Sequence, residues 1–194
     1  SPEAGRILHS LQVENTKIGY VPQSPAMLNE SIASNVALGA GEREIDVSRV
    51  EYALMKAELL SFVQGLSGGI HSKSGHDGGE MSGGQKQRVT IARAIYNEPQ
   101  ILILDEFTAN LDLNTQRRIF ENMLDLPQKP TIIAAIHDLS LLKFFNTIIF
   151  IDKGSIRAAG PFNKIVEECH DFRAFFSSGG HDASECEALG GRTF

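Results

Sequence analysis

The chain has 194 residues, 42% hydrophobic and 22% charged, enough apolar material for one domain with a sizeable core. Its net charge of −6 argues against a nucleic-acid partner, because neutralising phosphates requires a basic face. The longest apolar runs, 131–136 and 147–151, are far too short to cross a bilayer, and no secretory apolar segment stands at the start. The two cysteines, Cys169 and Cys186, make no disulfide framework, so the expectation is a cytoplasmic chain with free thiols.

In chain order, Pro2 and Gly5 punctuate the entry to a short apolar segment at 6–8, and 17–21 reads as a strand that Pro22 stops. Residues 31–38 suit a short helix. Asp46 is placed to cap a second, with Val50, Ala53, Leu54 and Ala57 at helical spacing, and 58–63 continues helically until Gly65. The glycine-rich stretch 65–79 is loop. Ser82 is placed to cap a helix running to about Tyr96, Pro99 follows it, and 101–104 is a continuous apolar strand. Asp112 suits the cap of the next helix, whose buried stripe is Ile119, Phe120, Met123 and Leu124.

A second solidly apolar strand follows at 131–136, a short helix at 139–145, and a third buried strand at 147–152. Lys153-Gly154 turns the chain into 155–159, and Pro161 opens a helical region ending near Phe176. Residues 177–194 are polar and glycine-rich, a flexible tail. Strands alternating with helices predict an α/β fold, a mostly parallel sheet covered on both faces, with chemistry at the carboxyl ends of its strands. Glu106 and His137 both fall there. The predicted organisation is one domain over 1–176 with a helical subdomain at about 24–98.

Two stretches carry chemistry. Met81-Ser82-Gly83-Gly84-Gln85-Lys86-Gln87-Arg88 is a glycine-rich turn opening a helix. Its backbone N–H groups and helix N-terminus suit an anionic phosphate, and its small residues permit close approach. Ile101-Leu102-Ile103-Leu104 ends in Asp105-Glu106, where one carboxylate suits a divalent cation and the other a base toward water. The similar spelling Leu66-Ser67-Gly68-Gly69 leads into more loop, with no amphipathic helix, and is rejected. His71, His76 and Asp77, like Cys169, His170, His181 and Cys186, lack the spacing of zinc sites and read as loop and tail polar groups.

These stretches, in this order, resemble the nucleotide-binding domain of ATP-binding-cassette (ABC) transporters, over about residues 5–162. The resemblance implies a P-loop NTPase-like fold, hydrolysis of ATP with Mg²⁺, pairing with a second such domain, and a transmembrane partner that holds the chain at the membrane. Asp105 and Glu106 resemble the Walker B pair, the first holding Mg²⁺ and the second polarising the attacking water. Ser82, Gly83, Gly84 and Gln85 match the signature turn that covers ATP held by the other subunit.

His137, in Ile136-His137-Asp138-Leu139 and 31 residues past Glu106, resembles the switch histidine that contacts the γ-phosphate. Gln23, in Tyr20-Val21-Pro22-Gln23-Ser24-Pro25, resembles the Q-loop glutamine that helps hold Mg²⁺ and water. Thr108-Ala109-Asn110-Leu111-Asp112 resembles the D-loop, with Asp112 acting across the dimer and as a helix cap. Phe107 departs from the usual Ala or Pro and is expected to alter the packing of that loop.

The block from Leu28 to Val36 is similar to exporter-type members. Ser72-Lys73-Ser74-Gly75-His76 stands where those carry a Glu before the signature turn, implying altered contact with the transmembrane partner. No Gly-x-x-x-x-Gly-Lys-[Ser/Thr] phosphate loop occurs, and no Lys directly follows a Gly. The resemblance therefore implies that this loop and the first strands lie upstream, and that the chain alone binds ATP weakly and hydrolyses it negligibly. The alternative is a shortened, non-catalytic subunit that lends its signature turn to a partner's ATP site. Retention of Glu106 and His137 weighs against it.

Overall fold

The computed structural model describes residues 16–73, 81–108 and 110–178. The expected segment at 6–8, the loop positions 74–79 with His76 and Asp77, Ala109, and the tail from 179 with His181 and Cys186 lie outside the described residues. The chain divides into two compact units, Ser1–Ala135 and Ile136–Phe194.

In the first unit the order is β1 (Ile18–Val21), α1 (Ile32–Val36), α2 (Val47–Lys56), α3 (Leu60–Gln64), α4 (Gly83–Tyr96), β2 (Ile101–Asp105), α5 (Leu113–Leu124) and β3 (Thr131–Ala135). The three strands form a parallel sheet in the order β1-β2-β3, with Ile18 opposite Ile101 and Ile101 opposite Thr131. Each long helix begins where a short acceptor side chain takes an orphan N–H: Asp46 from Arg49, Ser82 from Gln85, Asp112 from Thr115. Glu58 adopts φ +58, and this left-handed residue breaks the expected continuation of α2 into two helices.

Side chains alternate across the sheet, so Gly19, Val21, Leu102 and Leu104 share its buried face. Helix α4 lies directly on that face: a Cβ added at Gly19 would sit 2.5 Å from the Ala94 carbonyl oxygen, so only glycine admits the helix there. The opposite face is apolar but open among the described residues, with Ile18, Tyr20 and Ile133 each more than half exposed. Among the described residues, then, the expected cover is present on one face. An unbroken apolar run is compatible with either arrangement, because periodicity does not report what covers the second face.

In the second unit a 3-10 turn (Leu139–Phe144) leads to β4 (Ile148–Asp152), β5 (Ser155–Gly160), α6 (Phe162–Glu168) and α7 (His170–Ser178). β4 pairs antiparallel with β5 across Lys153 (φ +49) and Gly154 (φ +74), the left-handed pair that a two-residue hairpin requires. The run 147–152 is therefore a hairpin strand with Ile149 and Ile151 outward, not the expected third buried strand. Its core gathers Leu139, Leu142, Ile148, Ile165, Phe172 and Phe176. α7 extends through Ser178, into the stretch expected to be tail. No helix among the described residues is long and apolar enough to cross a membrane.

Candidate functional site

Parallel pairing aligns the carboxyl ends of β1 and β2, since Val21 lies opposite Leu104. Gln23 follows β1 by two residues, Asp105 closes β2, and Glu106 comes next. The sheet register thereby joins groups far apart in sequence: Gln23 Nε2 donates to Glu106 Oε2 at 2.6 Å. Beside this pair, Tyr20 Oη donates to Asp105 Oδ2 at 3.3 Å. Tyr20 and Asp105 both project from the open sheet face, as strand alternation dictates. Loss of solvation first, and then the adjacent Asp105 carboxylate, raise the Tyr20 phenol above its ordinary value and keep it a donor.

Glu106 itself adopts φ +47, a left-handed conformation disfavoured for a side chain of this kind. Its N–H donates to the Ala135 carbonyl at 3.0 Å, so the end of β3 fixes one side of the strained residue. Phe107 and the D-loop fix the other side. The Phe107 ring is fully buried and stacks on Phe120 with centroids 5.9 Å apart, filling core space beside the D-loop. The Phe107 carbonyl accepts from Gln87 Nε2 at 3.2 Å. Gln116 Nε2 then reaches back to the carbonyls of Thr108 (3.2 Å) and Leu111 (2.7 Å). Asp112 caps α5, and hydrogen bonds from Thr115 hold its carboxyl below the ordinary range.

The glycine turn is a closed capping box: Ser82 Oγ accepts from Gln85 N at 3.2 Å, and Gln85 Oε1 accepts from Ser82 N at 2.8 Å. A Cβ on Gly84 would lie 2.6 Å from the Asn110 carbonyl oxygen, and one on Gly83 would lie 3.2 Å from Asn110 Cγ. Close approach of the D-loop is thus one reason these positions are glycine, beside the phosphate approach inferred from the sequence. Arg88 extends the contact, donating to the carbonyls of Glu58 (2.8 Å) and Gly84 (3.3 Å).

Further along α4, Arg93 donates to the carbonyls of Asn35 (2.7 Å) and Ala26 (3.1 Å), tying that helix to the chain just after Gln23. The first unit therefore gathers Gln23, Asp105 and Glu106 at one sheet end. It also packs Gly83 and Gly84 against the loop that follows Glu106. His137 is exposed, two residues past β3, and opens the second unit.

Sequence reasoning missed Tyr20, Gln87, Arg93 and Gln116. For Gln87 a signal existed: it shares the 87, 91, 95 stripe of α4 with the buried Ile91 and Ile95, an odd place for a polar side chain. A concavity of about 350 Å³ lined by Arg49, Tyr52, Tyr96, Glu98 and Gln128 includes none of the site residues. Gln23 and Glu106 sit instead on an open surface.

The model of the ABC transporter family matches residues 1–109. The chain belongs to that family. It is 37% identical over 175 residues to the ATP-dependent lipid A-core flippase of Ralstonia nicotianae, covering 86% of this chain and 30% of the relative. It is 35% identical over 182 residues to the leukotoxin translocation ATP-binding protein LktB of Mannheimia glucosida, covering 90% of this chain and 25% of that protein. The chain thus spans less than a third of the length of these curated relatives. Among solved structures, a bacterial Atm1-family ABC exporter with ATP bound superposes with a TM-score of 0.76 at 29% identity, over 86% of this chain and 29% of the exporter. The fold is accordingly the α/β architecture of an ABC ATP-binding domain.

Proposed function

We propose that this chain is part of the ATP-binding cassette of an exporter, coupling ATP binding and hydrolysis to movement of cargo through a transmembrane partner, at the cytoplasmic membrane face. The observation that carries this reading is the 2.6 Å contact between Gln23 and Glu106, which joins the Q-loop and the strand-tip base into one constellation. Asp105 and Gln23 fit Mg²⁺ chemically: both offer hard oxygen donors, and with its Nε2 donating to Glu106 the Gln23 amide would have Oε1 to offer a cation. A cation held there would supply positive charge to offset that of the phosphates.

The protein's own part is positional. Glu106 accepts a proton from the water that attacks the γ-phosphate, while Gln23 steadies the carboxylate. His137 is, by the family resemblance, the residue that would contact the γ-phosphate. The Ser82–Gln85 turn would meet ATP held by a second cassette through the Gly83 and Gly84 N–H groups, since those of Ser82 and Gln85 serve the capping box, and Asp112 contributes across the same interface. The 194 residues contain no phosphate loop, so residues outside them anchor the β- and γ-phosphates.

The test is Mg-ATP calorimetry and phosphate release, on this chain and on the complete polypeptide carrying it. The chain alone should bind weakly and turn over negligibly. The complete polypeptide should hydrolyse ATP, and Glu106→Gln should lower turnover by about 10²–10⁴-fold with binding retained. Micromolar binding with steady turnover by the chain alone, or full turnover by Glu106→Gln, would contradict the reading.

A further inference from the structure

Gln87 belongs to the stretch 81–88, yet the proposed catalytic cycle makes no use of it. It lies one helical turn beyond Gly83, is fully buried, and crosses 20 residues of sequence to donate to the Phe107 carbonyl at 3.2 Å. That carbonyl belongs to the residue immediately after Glu106. Glu106 is held on its N-terminal side by the Ala135 carbonyl and stands at φ +47. A left-handed residue persists when the structure on both sides of it over-determines its conformation. The sheet supplies one anchor. The other is residue Phe107 itself, fixed at its ring by Phe120 and at its far side, through the carbonyl of the 107–108 peptide, by Gln87.

We propose that Gln87 is a positioning residue for Glu106: by gripping the Phe107 carbonyl it ties the aim of the base to the position of the signature turn. The proposal rests on the reading of Glu106 as the base. Its consequence is directional. The turn opens α4 at Ser82 and faces the nucleotide of a second cassette, whereas Glu106 serves its own. Any shift of the first turns of α4 when the signature turn meets nucleotide reaches the residue after Glu106 through this hydrogen bond. Gly84, seated on the Asn110 carbonyl, makes the same region of α4 stiff against the D-loop.

The test is made in the complete polypeptide carrying this cassette. Gln87→Met keeps the bulk and removes the donor. Thr90→Val removes a buried polar group on the same helix that bonds within that helix, to Lys86 O, and serves as the control. Gln87→Met should lower kcat for Mg-ATP about 10- to 100-fold with KM within about twofold, while Thr90→Val leaves kcat within about twofold. Hydrogen exchange should quicken in peptides spanning 106–108 and stay unchanged at 18–21. Unchanged kcat in Gln87→Met, or a joint fall of kcat and stability matched by Thr90→Val, would overturn the proposal. If the unmodified polypeptide shows no ATP turnover, the functional reading fails instead, and exchange at 106–108 still decides whether Gln87 holds the peptide.

Discussion

The signature turn and the strand tip are built to opposite specifications. The turn is braced three times from its own chain: by a two-way capping box, by two glycines pressed on Asn110, and by the Arg88 guanidinium on the Glu58 carbonyl. The strand tip relies on exposed side-chain contacts, Gln23 on Glu106 and Tyr20 on Asp105, at the edge of an apolar face left open among the described residues. A group lent to another subunit's nucleotide gains from being rigid before the encounter, because ordering it later would cost affinity. Groups that must exchange a proton and gather around a cation gain from lightly held side chains on a firmly held backbone.

The contrast can be broken at either end. Gly84→Ala should have the larger effect, because its Cβ would meet a backbone oxygen at 2.6 Å and the turn and D-loop must part. The expected loss is about 1–3 kcal/mol of unfolding free energy, read by urea denaturation. Gln23→Ala removes an exposed contact and should shift the same measurement by no more than about 0.5 kcal/mol. Equal losses from the two variants would erase the distinction.

A smaller effect sharpens the comparison. The Asp112 carboxyl is held below its ordinary range by its cap bonds, so the stability it adds is present above the unfolded-state value and disappears as pH falls through the folded-state value. Asp112→Asn keeps a competent cap without the charge. The wild type should therefore exceed Asp112→Asn in stability at neutral pH, and the gap should close as acid titration proceeds below about pH 4. A gap that is constant across that range would show that the charge contributes nothing.

Much of this was legible in residue types and spacing. Acceptor side chains at Asp46, Ser82 and Asp112 marked helix starts because they take orphan N–H groups, and the apolar runs at 101–104 and 131–136 marked strands. The run 147–152 misled because its apolar letters do not distinguish an inner strand from a hairpin strand with one face outward. The neighbouring Lys153-Gly154 turn held that information. The Gln23–Glu106 contact was legible only through family resemblance, since parallel register, not sequence distance, brings them together. The α4 stripe marks Gln87 as a buried polar group, but which D-loop carbonyls Gln87 and Gln116 reach is set by the fold and not by any local pattern.

The central claim is a division of labour: Glu106 serves its own cassette's ATP, and the Ser82–Gln85 turn serves a second cassette's. Two differently tagged copies of the complete polypeptide test it, carrying Glu106→Gln and Ser82→Arg either together on one copy or apart on two. Placed apart, the changes leave one composite site untouched, so phosphate release should clearly exceed that of the assembly with both on one copy, where each site is hit. The reverse ranking would mean that turn and base act on the same copy's nucleotide, and would contradict the account.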